Sequence, residues 1–210
     1  MDTFSIVFVC TGNRFRSPLA EAFVRRLALG LPVTTESFGT LELEDAPALP
    51  EAVEIGLRCG VDLSNHRTRH VGQSSLDRID LVLGFEEAHV RRAVVDAKAP
   101  RTRAFTLRGI ARLLPAAEVS PQKDVIVRAR GVLDQLEEVR ATESDSRRSD
   151  EMRDPFGRSW NVYRETAAEI RELSIQLVET LFGITDTRGL PPVPTKRNRG
   201  RRAFWPRQRD

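Results

Sequence analysis

Residues 4 to 9, FSIVFV, are β-branched and aromatic with no polar alternation, the pattern of a strand buried on both faces. Such a strand belongs at the centre of a parallel sheet covered by helices. The remaining periodicities fit that frame. LAEAFVRRLAL spaces Leu19, Ala22, Phe23 and Leu27 as a helix does, and Pro18 suits its first turn. Residues 33 to 38 read as a second strand. A helix is predicted over 47 to 59, with Leu49, Val53 and Leu57 on one stripe. DLVLGF (80 to 85) and RAFTL (103 to 107) read as further strands, and EEAHVRRAVVDA and RGIARLL as helices. The prediction is a three-layer α/β/α fold around a four-stranded parallel sheet.

From 116 to 150 the character changes. VIVRARGVLDQLEEVRA predicts a helix, and the aperiodic TESDSRRSDE predicts a loop. Residues 159 to 182 form the clearest long helix, with Val162, Ala167, Ile170, Leu173, Leu177, Val178 and Leu181 on its apolar face and Gly183 placed to cap it. The Pro- and Arg-rich stretch that follows has no period and reads as a disordered basic tail over 185 to 210.

Charge is divided unevenly. The tail holds eight basic against two acidic residues, +6, so residues 1 to 184 carry −3 of the chain's net +3. The folded part therefore gains nothing for nucleic-acid binding, whereas the tail, with Phe204 and Trp205, suits weak contact with anionic lipid or nucleic acid. No apolar run reaches the length of a membrane span. The acidic start MDTFSIVFVC does not read as an export signal, which implies a cytoplasmic protein whose two cysteines, Cys10 and Cys59, are free thiols.

The chemistry concentrates where the first strand ends, in CTGNRFRSP (10 to 18). A strand, a glycine-containing loop and a helix N-terminus make a cradle for phosphate, with loop N–H groups and the helix dipole supplying positive potential. Cys10 stands at its floor, where the field favours the thiolate, the attacking form. Arg16 suits a forked grip on phosphoryl oxygens that lysine cannot make. Gly12 permits tight or left-handed backbone, Asn13 tolerates the left-handed region, and the Ser17 hydroxyl is suited to bond the sulfur.

This loop resembles the signature of the low-molecular-weight protein tyrosine phosphatases. VFVCTGNRFRSPLAEA, ESFGT, GVDLSNHRTR, DLVLGFEEAHV and DPFGRSWNVY follow in that family's order, with 116 to 150 unmatched. The resemblance implies a phosphatase domain over 1 to 184 with an atypical insertion at about 116 to 150. It also implies a metal-free, cofactor-free hydrolysis of phosphotyrosine in protein substrates. Cys10 would form a phosphocysteine, Arg16 would bind the phosphoryl group, and Asp154, in RDPFG, would be the general acid. Thr11, Gly12, Asn13, Arg14, Phe15 and Ser17 would line the phosphate site. Ser37 and His66 match residues that brace the loop with Asn13 and Ser17, and Glu21 is a further acidic member. Leu41, with Leu43 beside it, and Phe156 are candidate walls for a flat ring, while Arg14 would favour acidic groups beside the phosphate. His89 and Cys59 receive no chemical role.

Two departures stand out. Many relatives carry a second cysteine where this chain has Phe15, so Cys10 lacks that partner against over-oxidation. Phe156-Gly157 replaces the tyrosines common after Asp-Pro, and Tyr163 is the sole tyrosine. Two other readings stay open: an arsenate reductase of the same fold, short of thiols for a disulfide relay, and a phosphoprotein-binding module with an idle site.

Overall fold

The computed structural model describes residues 2–43, 45–118, 122–142, 150–186 and 189–196. Four strands, β1 (Phe4–Cys10), β2 (Val33–Gly39), β3 (Leu81–Gly84) and β4 (Ala104–Thr106), form a parallel sheet in the order β2-β1-β3-β4. The helices are α1 (Arg16–Leu27), α2 (Pro50–Arg58), α3 (Glu87–Ala97), α4 (Leu107–Leu113), α5 (Val125–Thr142) and α6 (Trp160–Phe182). The predicted fold class and all predicted strands and helices are present.

Alternation along β1 divides the core in two. Phe4, Ile6, Phe8 and Cys10 join one apolar cluster with residues of α1, α2, α4, α5 and α6, while Val7 and Val9 join a second with Val90, Ala93 and Ala97 of α3. The central strand is therefore apolar on both faces because both are covered. An edge-to-face contact between Phe4 and Phe182, 5.4 Å between ring centroids, ties the end of α6 to the start of β1. The strand order reverses beside β1, which makes the carboxyl ends of β1 and β3 the usual ligand position in an open parallel sheet.

Several expectations need correction. On α2 the buried positions are Ala52, Ile55 and Gly56, whereas Leu57 is 57% exposed. The helix is only nine residues long, and one register of apolar residues looks much like the next until a neighbour selects the face. On α6, Val162 is 37% exposed, because its neighbour Tyr163 takes the core-facing position of the first turn. Gly183 caps that helix at φ 74° as predicted. Residues 189–196, read as part of a disordered tail, lie against the domain instead. Leu190 is fully buried, Arg171 donates to the carbonyls of Leu190 and Pro191, and Arg26 donates to that of Gly189. An apolar side chain and carbonyls matched to arginines outweigh a composition that looks disordered. The expected contacts of Phe204 and Trp205, and most of the polar loop after α5, lie outside the described residues. No described helix is long and apolar enough to cross a membrane.

Candidate active site

The loop leaves β1 at Cys10 and enters α1 at Arg16. Phe15 occupies the N-cap position of α1 without a side-chain capping bond, so no side chain competes there with an anion for the first-turn N–H groups. Of the two residues suited to left-handed backbone, Asn13 takes it, at φ 50°, and Gly12 does not. Asn13 meets the steric cost of that conformation with its own hydrogen bonds. Its Nδ2 donates to Ser17 Oγ and Ser37 Oγ, both at 2.9 Å, and its Oδ1 accepts from the Arg69 N–H at 3.0 Å. Its carbonyl lies 2.7 Å from His66 Nε2, which must carry the proton because a carbonyl only accepts. Burial lowers the His66 pKa and so favours the neutral ring.

Ser37 in turn donates to Glu21 Oε2 at 2.5 Å, and Arg25 pairs with Glu21 Oε1 at 2.5 Å. A continuous chain of hydrogen bonds therefore runs from α1 and β2 to Ser17, whose Oγ lies 3.0 Å from Cys10 Sγ. Ser17 has one proton and two candidate acceptors, Cys10 Sγ and the Phe38 carbonyl at 3.3 Å. A thiolate at Cys10 takes that proton, since it can only accept. The loop also leans on the end of β2. Thr40 and Leu41 donate their N–H groups to the Thr11 carbonyl, and a Cβ on Gly39 would come within 3.0 Å of that same oxygen. Glycine at 39 is what lets the two backbones approach.

Arg16 is 1% exposed and its two terminal nitrogens are fully engaged. Nη1 donates to Glu86 Oε1 at 2.5 Å and to the Met152 carbonyl at 2.8 Å; Nη2 donates to Thr11 Oγ1 at 3.0 Å and to Asp154 Oδ2 at 2.6 Å. Asp154 thus meets the loop across 138 residues of sequence. The Met152 N–H bonds the Phe85 carbonyl at 2.7 Å, which draws the Asp154 segment to the end of β3. Beyond it, the Phe156 N–H returns to Asp154 Oδ1 at 3.0 Å, and the Gly157 N–H donates to the Tyr163 hydroxyl at 3.2 Å. Tyr163 packs on Phe15, with ring centroids 4.9 Å apart, so the Cys10 loop and the Asp154 turn share an aromatic brace.

The residues of the site are therefore gathered as follows. Cys10, Asn13, Ser17, Ser37, Glu21 and His66 are linked through the bonds above, and Thr11, Arg16 and Asp154 form the polar mouth. Phe15 faces the core. Arg14 donates its Nε to the Pro47 carbonyl at 2.8 Å, which fixes the direction of its side chain. Leu41 and Phe156 are 51% and 65% exposed, and Leu43 is the apolar side chain nearest the space a Cβ on Gly12 would fill. Sequence reasoning missed Glu86, Met152 and His89. His89 is buried with Nε2 3.0 Å from Thr11 Oγ1, and its only signal in the sequence was the EEAHV segment itself. Cys59 is buried in the core at the end of α2, and burial pushes its thiol up to about 11. Among the described residues, no three His, Cys, Asp or Glu side chains converge as a metal site requires.

Residues 5–118 match the family model for low molecular weight phosphotyrosine protein phosphatase. The chain is 29% identical over 178 residues to a protein-arginine-phosphatase of Bacillus subtilis, an alignment covering 84% of this chain and 95% of that one. It is 36% identical over 96 residues to a probable low molecular weight protein-tyrosine-phosphatase, EpsP, of Ralstonia solanacearum, covering 46% of this chain and 63% of the relative. A crystal structure of a low molecular weight protein tyrosine phosphatase from T. tengcongensis superposes with a TM-score of 0.61 at 27% identity, covering 85% of this chain and 100% of that one.

Proposed function

The chain belongs to the low-molecular-weight phosphotyrosine protein phosphatase family, and on that premise we propose that it hydrolyses phosphotyrosine in proteins through a phosphocysteine at Cys10. The observation that carries the reading is the 2.6 Å pairing of Arg16 Nη2 with Asp154 Oδ2 at the mouth of the Cys10 loop. It supports a site where an anion binder and a proton donor stand together above a nucleophile. An incoming phosphate ester takes over the Arg16 hydrogen bond held by the Asp154 carboxylate, which, once freed, takes up a proton from solvent and turns to the ester oxygen as the acid. The Cys10 thiolate attacks phosphorus, the P–O bond to the phenol breaks, and Asp154 protonates the departing oxygen. Asp154, now a carboxylate, takes a proton from water as that water attacks the phosphocysteine. Inorganic phosphate leaves, Cys10 returns as thiolate, and Ser17 donates its hydrogen bond to the sulfur at the start and end of the cycle. Asn13, Ser37, Glu21 and His66 keep the loop in shape throughout.

Arg14 bears on the substrate. Its guanidinium, tethered to Pro47, places a positive charge at the loop, which repels a phosphorylated guanidinium and tolerates a phenol ring. That favours phosphotyrosine over the phosphoarginine suggested by the Bacillus relative's name. Leu41 and Phe156, both exposed, are our candidates to flank such a ring. The buried Cys59, with its raised thiol pKa, is unsuited to a disulfide relay, which weighs for hydrolysis over arsenate reduction. We take residues 1 to 184 as the catalytic unit, with 116 to 150 an addition to the family pattern, and a cytoplasmic setting in keeping with two free thiols. Phosphate release from matched phosphotyrosine and phosphoarginine peptides, beside Cys10→Ser, tests the reading. Preference for phosphotyrosine, abolished in Cys10→Ser, is the expected result; preference for phosphoarginine overturns the substrate assignment. Binding of phosphopeptide without release would instead identify an idle binding module.

A further inference from the structure

We propose that His89 is the positioning residue that holds Arg16 in its working orientation, acting through Thr11 on one terminal nitrogen and through Glu86 on the other; this rests on the phosphatase reading above. The Glu86 N–H donates to His89 Nδ1 at 3.1 Å, so Nδ1 is an acceptor and the proton of the neutral ring sits on Nε2. That Nε2–H faces Thr11 Oγ1 at 3.0 Å and must donate to it. Thr11 Oγ1 also accepts from Arg16 Nη2 at 3.0 Å, so both lone pairs of the hydroxyl are filled and its own proton is left for an acceptor in the loop.

The other nitrogen adds a second, weaker hold. By accepting the Glu86 N–H, His89 fixes the residue that begins α3, and the Glu86 carboxylate holds Arg16 Nη1 at 2.5 Å. The imidazole thus meets both partners that grip the guanidinium, one with each nitrogen. Only the neutral ring serves, because an imidazolium would turn a donor toward the Glu86 N–H. Burial first, and then the charge of Arg16, push His89 down to about 4, against the opposing pull of Glu86 and Asp154. His89 itself touches no substrate atom in this scheme.

Asparagine and glutamine separate the two contacts. In the His89→Asn variant the carboxamide oxygen lies where Nδ1 was, but the side chain is too short to reach Thr11. His89→Gln reaches Thr11 and gives up the helix cap. Steady-state hydrolysis of an aryl phosphate and calorimetric binding of inorganic phosphate are measured for His89→Asn, His89→Gln, Thr11→Val, Thr11→Ser and the double variant His89→Asn/Thr11→Val. We expect His89→Asn and Thr11→Val each to lose about tenfold in kcat/KM, the worth of one charge-assisted hydrogen bond, with the double variant losing no more than Thr11→Val. Thr11→Ser and His89→Gln should stay within about threefold of wild type. A loss that multiplies in the double variant, or full activity in folded His89→Asn, overturns the proposal, since a merely structural histidine would act independently of Thr11. Phosphate affinity follows the same pattern without turnover, so an inactive wild type counts against the phosphatase reading and leaves the His89 test in force.

Discussion

Asn13 offers a test in which the sign of a stability difference is diagnostic. Its side chain is fully buried, its φ is 50°, and its amide makes three hydrogen bonds, to Ser17, Ser37 and the Arg69 N–H. Truncation removes all three, and at about 1 kcal/mol each the loss is about 3 kcal/mol. Alanine adds a conformational cost of about 1 kcal/mol at positive φ, which glycine escapes. Asn13→Ala should therefore be destabilised by about 4 kcal/mol and Asn13→Gly by about 3 kcal/mol. In ordinary helix or strand positions glycine is the less stable of the two by about 0.5–1 kcal/mol, so the order here is reversed. Urea unfolding followed by circular dichroism of the two variants beside wild type measures the difference. An alanine variant as stable as the glycine variant, or more so, would refute the claim that the loop depends on a left-handed residue at 13.

Further outcomes follow from the same contacts. Tyr163→Phe removes the acceptor of the Gly157 N–H, worth about 1 kcal/mol, and should lower kcat for aryl phosphates more than it raises KM. Stability should fall with acid through His89: its folded pKa of about 4 lies below the ordinary 6.5, so the unfolded chain takes up the proton first. That contribution is intact above pH 6.5 and is lost between there and about pH 4, amounting to about 3 kcal/mol, and His89→Gln should flatten it in a series of urea titrations. Iodoacetamide at neutral pH should modify Cys10 and spare Cys59, whose buried thiol is pushed up to about 11, until the protein is unfolded; peptide mapping reads this directly. Leu190→Ala should cost about 2–5 kcal/mol in the same unfolding assay, because the segment after α6 is packed and not free.

How far the sequence reaches depends on the range of the contacts. The sheet and the Cys10 loop were legible because their signals are local: a buried strand, a short glycine-containing loop and a proline-led helix. Ser17, close to Asn13 along the chain, could be reasoned about within one turn. Asp154 was legible only through the order of motifs, since nothing near RDPFG indicates a partner 138 residues upstream. His89 and Glu86 were passed over because EEAHV reads as an ordinary helix start; only the pairing of β3 beside β1 brings them to Thr11 and Arg16. Phe15 reads as a loop residue until Tyr163 arrives from α6 to cover it. The buried face of α2 and the packing of Leu190 were misread for the same reason, because periodicity and composition give candidate faces and a neighbouring element chooses among them.

The central claim is that phosphate passes through Cys10. Rapid mixing of wild type with an aryl phosphate, acid quenching within the first turnover and mass analysis of the peptide holding Cys10 tests it most directly. One phosphoryl group on Cys10 is expected, appearing with the burst of released phenol and absent from Cys10→Ser treated alike. Turnover at the same rate with Cys10 unmodified throughout, or persisting in Cys10→Ser, would contradict it.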